Sequence, residues 1–79
     1  QYYPNPIKKN ENLKIDLSVF NSSEPINFSV TTVDGKIVFS KVISAAEQKD
    51  FSYKVPQEGI LFLTLSNGKQ KQSLKVVVD

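Results

Sequence analysis

The chain has 79 residues and a formal net charge of +2, from ten lysines and no arginine against eight acidic residues. It contains no cysteine and no histidine, which excludes disulfide bonds and an ordinary zinc site. Because the lysines are spread along the chain, solvated lysines on a β-surface are a better interpretation than nucleic-acid binding.

The chain opens with two tyrosines and the stretch Tyr3-Pro4-Asn5-Pro6. Proline fixes φ and restricts the residue before it, so this stretch is predicted to be a stiff, extended entry segment. An alternative interpretation is that the prolines protect a sheet edge from unwanted pairing. The chain begins with Gln1 and has no methionine, which indicates a piece of a longer polypeptide.

The first half of the chain is dominated by alternation of apolar and polar residues, which is typical of half-buried strands. A first strand is predicted at residues 12–20 and a second from Ile26, separated by a turn cluster at residues 21–25. Asp34-Gly35 predicts a hairpin turn, because glycine tolerates positive φ. The partner strand is residues 37–43, and either of its faces could be the inner one.

The second half continues the pattern with three more strands. Residues 44–47 predict a loop with one helical turn at most. Alternation at residues 51–55, a break at Pro56-Gln57-Glu58-Gly59 and an apolar strand at residues 60–65 follow. Asn67-Gly68 predicts a second hairpin turn. In the last strand, Leu74, Val76 and Val78 share one face, so Lys75, Val77 and Asp79 are expected to face solvent.

These elements predict one domain, an all-β, antiparallel immunoglobulin-like β-sandwich of about seven strands. Six strands are clear, and a seventh is placed near Tyr2-Tyr3 or Ile7. Residues 1–9 are assigned to the entry segment and residues 10–79 to the sandwich. The residues expected in the core are Leu13, Ile15, Leu17, Phe28, Val30, Leu63, Leu65 and Val76.

Residues that carry out catalysis are sparse. General acid–base chemistry usually uses histidine or a carboxylate pair in a cleft, and the acidic residues here are scattered over turns and polar faces. The serines have no histidine to serve as a base, and three glycines form no phosphate-binding loop. A Ca²⁺ site is disfavoured because no acidic cluster suggests one. The sequence therefore predicts no enzyme and no cofactor.

The longest apolar run has four residues, which is far below the ~20 that a membrane-spanning helix needs.

A set of short motifs in fixed order gives the two ends of the chain a further meaning. The motif residues are Tyr3, Pro4, Asn5, Pro6, Asp34, Gly35, Lys36, Pro56, Gly59, Gly68, Lys69, Lys75, Val76, Val77, Val78 and Asp79. The set resembles the C-terminal sorting domain, type A, of proteins exported by the type IX (Por) secretion system of Bacteroidetes. The resemblance covers the whole chain. One departure is Leu61, which stands where that family usually has tyrosine and which we expect in the core.

The resemblance implies that the domain is an address label on a fused N-terminal cargo protein. The label would direct the cargo from the periplasm across the outer membrane to the cell surface or the medium. The implied partners are the type IX translocon, outer-membrane shuttle and attachment proteins, and a sortase-type protease that removes the label. Recognition could use strand addition at an edge or an apolar surface patch.

Two questions remain open at this level. If alternate residues of the 60–65 strand point inward, Ile60 and Phe62 point outward, where a loop, the Tyr2-Tyr3 segment or a partner could cover them.

The competing function is a structural or carbohydrate-binding accessory module of a secreted enzyme. In that module Tyr2, Tyr3 and Tyr53 would form a platform for sugars, unless Tyr53 is buried.

Overall fold

The computed structural model describes residues 7–20 and 24–79. These residues form two antiparallel sheets, which confirms the predicted all-β sandwich. A four-stranded sheet has the order β3-β2-β5-β6, and a two-stranded sheet pairs β1 with β4. The strands are β1 (Asn12–Lys14), β2 (Ile26–Thr32), β3 (Ile37–Ile43), β4 (Ser52–Lys54), β5 (Gly59–Ser66) and β6 (Lys71–Val78), with 3₁₀ helices at Ser18–Phe20 and Ala45–Asp50.

Ile7 supplies the seventh β segment as a single bridge. It pairs in parallel with Val78, at the edge of the four-stranded sheet. Its side chain is buried, so the core already includes a residue of the entry segment. The backbone then crosses to the other sheet, where the N–H of Asn10 donates to the carbonyl of Val55. Asn10 has a positive φ of 73°, which bends the chain between the two sheets.

The core lies between the two sheets and follows the alternation of the strands. All eight residues expected in the core are buried, with exposed fractions of 6% or less. Phe28 is at the centre and makes edge-to-face contacts with Phe51 and Tyr53, whose ring centroids are 5.2 Å and 5.3 Å from its own. The other buried residues are Ile7, Phe20, Ile26, Ile43, Phe51, Tyr53, Val55, Leu61 and Val78.

The first predicted strand is shorter in the structure. Pairing with β4 ends after Lys14, because the Asp16 carboxylate accepts a hydrogen bond from the N–H of Ser18 and starts a turn. The N–H of Phe20 then donates to the carbonyl of Leu17, which closes the first 3₁₀ helix. Ile15 and Leu17 are nevertheless buried, because an irregular segment can also place apolar side chains in the core.

A β-bulge in β3 decides which face of this strand is inner. Val30 pairs with Phe39 whereas the next residue, Thr31, pairs with Ile37, so Val38 is inserted without a partner of its own. Phe39 makes an edge-to-face contact with Phe28 and Val38 packs against the core. Ile37 and Val42 remain exposed at 63% and 59%. The bulge explains why alternation alone could not assign this strand.

The second 3₁₀ helix spans six residues, more than the single turn predicted. At its start the Glu47 carboxylate accepts hydrogen bonds from the N–H and the hydroxyl of Ser44. The same carboxylate forms a 2.9 Å salt bridge with Lys41 on β3. No helix in the described part of the chain combines the length and the apolar character that crossing a membrane requires.

These bonds predict an acid-dependent loss of stability. The salt bridge with Lys41, followed by the N–H of Ser44, lowers the pKa of Glu47 from 4.5 to about 2. Because the folded-state pKa lies below the unfolded value, the stabilisation is complete above pH 4.5 and is lost as the pH falls to about 2. Glu47→Gln should therefore unfold at lower urea than the parent at pH 7, and the two midpoints should converge near pH 2.

The matched control for this experiment is Glu58→Gln in the exposed β4–β5 loop. It removes one carboxylate of the same type at a position outside this salt bridge. Urea midpoints of the parent and of both variants are measured at pH 7, 4 and 2. A separation between Glu47→Gln and the parent that stays constant over this range would contradict the assignment of the acid transition to Glu47.

Candidate functional site

Most of the described motif residues lie at one end of the four-stranded sheet. Because the strands are antiparallel, the turn after β2, the start of β5 and the end of β6 meet there. The register shows this directly, since Thr32 is opposite Leu61 and Gly59 is opposite Val78. We call this region the motif-bearing end. It unites motif residues that are more than 40 positions apart in the chain.

The β2–β3 turn contains Asp34, Gly35 and Lys36. The N–H of Thr32 donates to the carbonyl of Lys36 at 2.9 Å, and the N–H of Gly35 donates to the carbonyl of Thr32 at 3.0 Å. Gly35 has a φ of 88°, so another residue there would be strained. The Thr32 hydroxyl donates to the Asp34 carboxylate, which is the largest cause lowering the pKa of Asp34. The predicted hairpin is therefore present, and its motif residues have structural roles.

The β4–β5 loop contains Pro56 and ends at Gly59. Gly59 has a φ of 110° and begins β5 beside the end of β6. No atom lies within 4 Å of the position that a Cβ would take there, so backbone conformation rather than space requires glycine. Two residues later, Leu61 is completely buried, as its alternation with Leu63 and Leu65 predicted.

The end of β6 alternates between the core and the outer face of the sheet. Val76 and Val78 are buried at 1% and 3% exposure. Lys75, Val77 and Asp79 lie on the outer face, where Lys75 and Asp79 are exposed and Val77 is half-buried. The reason is its cross-strand neighbour, since Val77 lies opposite Ile60 of β5.

The remaining motif residues are not part of this end. Gly68 and Lys69 lie in the β5–β6 turn at the opposite end of the sheet, about 24 Å away along an eight-residue strand. There the Asn67 side-chain oxygen accepts hydrogen bonds from the N–H groups of Lys69 and Gln70. Tyr3, Pro4, Asn5 and Pro6 lie outside the described residues.

The outer face of the motif-bearing end has an apolar character that is unusual for an outer sheet face. In one row across the sheet, Ile37 is opposite Thr31, Thr31 is opposite Phe62, and Phe62 is opposite Lys75. In the next row Ile60 is opposite Val77. We call Ile37, Ile60, Phe62 and Val77 the outer patch.

Two members of the outer patch are substantially exposed, Ile60 at 37% and Ile37 at 63%. Phe62 is half-buried. Val33, in the adjoining turn, is 69% exposed and adds further apolar surface at this end. The outward orientation predicted for Ile60 and Phe62 is correct, and the described residues leave much of Ile60 uncovered.

Two residues contribute to this end that the sequence pattern did not predict there. Ile37 was missed because the bulge in β3, which places it on the outer face, has no signature in the alternation. Ile7 was missed as a structural partner of the terminal strand, although its position directly after Pro6 was visible. Its N–H donates to the carbonyl of Val77 at 2.9 Å, and its carbonyl accepts from the N–H of Asp79 at 2.8 Å.

A separate groove lies between the edge strands β3 and β4, with a volume of about 660 Å³. Phe39 of β3 and Tyr53 of β4 line it, with ring centroids 5.1 Å apart. Tyr53 is 6% exposed, and its buried hydroxyl has no hydrogen-bond partner among the described residues. Burial raises the pKa of this phenol. A buried Tyr53 cannot form the exposed sugar platform of the carbohydrate-binding interpretation.

The scattered acidic residues remain scattered in three dimensions. Within residues 7–20 and 24–79, no three histidine, cysteine, aspartate or glutamate side chains come together as metal ligands would. The motif-bearing end is distinguished instead by the positive φ of Gly35 and Gly59 and by its apolar outer face.

Comparison with models of protein families gives a match. The model of the family described as "Secretion system C-terminal sorting domain" matches residues 1–79, the whole chain. Searches of curated proteins and of solved structures gave no significant match. This family comprises sorting signals and is not an enzyme family. The motifs, their convergence at one end of the sheet and the whole-chain match agree, and the chain belongs to the type IX secretion system C-terminal sorting domains of Bacteroidetes.

Proposed function

We propose that this domain directs an attached N-terminal cargo protein from the periplasm through the type IX translocon to the cell surface or medium. The observation that carries the proposal is the convergence of distant motif residues at one end of the sheet. A β-sandwich that served only as a spacer would need hairpin turns and a core, but not an apolar outer face beside them.

The surface that the machinery reads is proposed to be the outer patch together with Lys75. This surface combines exposed apolar side chains with a cation in one row of the sheet. Exposed apolar patches bordered by polar residues are typical of protein–protein contacts. The proposed partners are the translocon and the outer-membrane shuttle and attachment proteins.

Removal of the domain by a sortase-type protease is proposed to occur before Ile7. A protease needs an extended segment with an accessible backbone. Ile7 is buried, and both of its backbone groups are bonded to the end of β6. Cleavage inside the sandwich would require unfolding, so the proposed cut lies on the cargo side of Ile7.

The proposal is tested by fusing residues 1–79 behind a reporter protein that carries a secretory signal. In a bacterium with the type IX system, the reporter should reach the surface or the medium. In a strain without the translocon it should accumulate in the periplasm. Equal release from the two strains would show that the domain is not an address and would favour a structural accessory module.

A further inference from the structure

The two-stranded sheet leaves part of the larger sheet open on its inner side. It consists of β1 and β4 alone, against four strands in the other sheet. The groove of about 660 Å³ lies beside β4 and over the inner face of β3, at the place of a third strand of the small sheet. This groove is separate from the outer patch, which lies on the opposite face of the larger sheet.

The edge of β4 beside the groove offers backbone groups to a partner. The N–H of Val55 donates to the carbonyl of Glu11 at 3.1 Å, so Val55 bonds toward the β1 side. Because backbone groups alternate in direction along a strand, Tyr53 also bonds toward β1, whereas the N–H and C=O groups of Ser52 and Lys54 point away from it. Ser52 and Lys54 both line the groove, and β4 has no second neighbouring strand in the described part of the chain. An unpaired edge of this kind is a template for an added strand.

The groove also contains a buried polar atom that needs a partner. The Tyr53 side chain is more than nine-tenths buried, and its hydroxyl bonds to none of the described residues. Buried polar groups in folded proteins are in the great majority hydrogen-bonded. The phenol is protonated at neutral pH, so it can donate to an acceptor such as a peptide carbonyl. The rings of Phe39 and Phe51 line the same groove and can pack around an apolar side chain.

The charges of the groove favour an acidic ligand. Lys41 and Lys54 both line it, and Lys41 is neutralised by the Glu47 carboxylate at 2.9 Å. Lys54 has no carboxylate partner among the described side chains. A carboxylate on the ligand would therefore complement the cation that remains. On a strand, residues beside Lys54 and residues beside Tyr53 point to opposite faces, so the acidic residue and the apolar residue would be adjacent in sequence.

We propose that the groove binds an extended peptide segment with alternating apolar and acidic residues, which joins β4 as a third strand of the small sheet. Its backbone pairs with the N–H and C=O groups of Ser52 and Lys54. Its apolar side chain packs against Phe39, one of its carbonyls accepts from the Tyr53 hydroxyl, and its carboxylate pairs with Lys54. This is a second docking site, independent of the outer patch.

The test is amide hydrogen exchange, followed by NMR, on residues 1–79 with the probe peptide acetyl-Val-Glu-Val-Thr-Val-amide. At saturating probe, the Ser52 and Lys54 amides should exchange at least about tenfold more slowly than without it. The amide of Ser73, on the distant strand β6, should not change. Exchange at Ser52 and Lys54 that is unaffected by millimolar probe would overturn the proposal. Slower exchange of these amides with rising protein concentration and no probe would identify a second copy of the chain as the occupant and would overturn it equally.

A charge swap tests the pairing with Lys54. The control probe acetyl-Val-Lys-Val-Thr-Val-amide should bind the parent at least about threefold more weakly than the glutamate probe, because it places two cations side by side. In Lys54→Glu the preference should reverse. Equal affinity of the two probes for the parent would contradict the acidic character of the ligand.

Tyr53→Phe separates a ligand-binding hydroxyl from a structural one. Removal of a buried hydroxyl without a partner should leave the urea midpoint unchanged or raise it. The same variant should bind the glutamate probe about threefold or more weakly, since the bond to the peptide carbonyl is lost. A lower urea midpoint would show that the hydroxyl bonds within the domain, and unchanged affinity would show that it does not bind the peptide. Either result would overturn its assigned role.

Discussion

Replacing Leu63 with alanine is expected to lower the free energy of unfolding by about 2–5 kcal/mol. Leu63 is completely buried at the centre of β5, opposite Val30 on one side and Leu74 on the other. The change removes its apolar contacts and leaves a cavity that neighbouring strands can fill only in part. At ~0.05–0.15 kcal/mol per residue, a domain of this size has in total about 4–12 kcal/mol. The variant should therefore lose a large part of its stability.

Urea unfolding followed by far-ultraviolet circular dichroism measures this effect. The control is Lys71→Ala, an exposed position on the neighbouring strand β6, which should change stability by no more than about 0.5 kcal/mol. A loss below about 1 kcal/mol for Leu63→Ala would contradict its central place in the core.

The second large effect is expected on export and not on folding. Lys75→Ala combined with Val77→Ser changes the outer face of β6 and leaves the buried Val76 and Val78 in place. The Val77 change weakens one cross-strand contact with Ile60, which costs about 0.2–1 kcal/mol. If the outer patch and Lys75 are read by the machinery, the folded variant should accumulate its reporter in the periplasm.

The matched control changes the same face of the same strand at its other end. Lys71→Ala combined with Ser73→Ala lies outside the outer patch and should be exported like the parent. Thermal unfolding is measured on each fusion, so that lost export is attributed to recognition only when the domain is folded. Normal export of the folded Lys75 and Val77 variant would show that the machinery reads another surface.

The value of alternation is clearest in β5. Leu61, Leu63 and Leu65 are each 1% exposed or less, and the intervening residues lie on the outer face, as predicted. The same reasoning assigned the strands correctly wherever the backbone is regular. It assigned too long a strand at residues 12–20, because the hydrogen bond between Asp16 and Ser18 ends the pairing without disturbing the apolar pattern.

The sequence predicted which residues belong to the candidate site, but not where in the fold these residues lie. The motif residues were named from their order in the chain, which carries no information about which of them meet. Their meeting depends on strand order and register, and these follow from long-range pairing that leaves no local trace in the sequence. Ile37 illustrates the limit, since the bulge that turns it outward arises from the pairing of β3 with β2.

By itself, the amino-acid sequence determined the β class, the two hairpin turns, the core residues of regular strands and the family. These properties depend on local conformational preference and on period-two burial, which neighbouring residues encode. Only the tertiary structure decided that three motif stretches share one end of the sheet, that Gly68 and Lys69 do not, and that Ile7 pairs with the terminal strand. The physical reason is that non-local backbone pairing and packing between sheets choose one arrangement among many that the same local pattern allows.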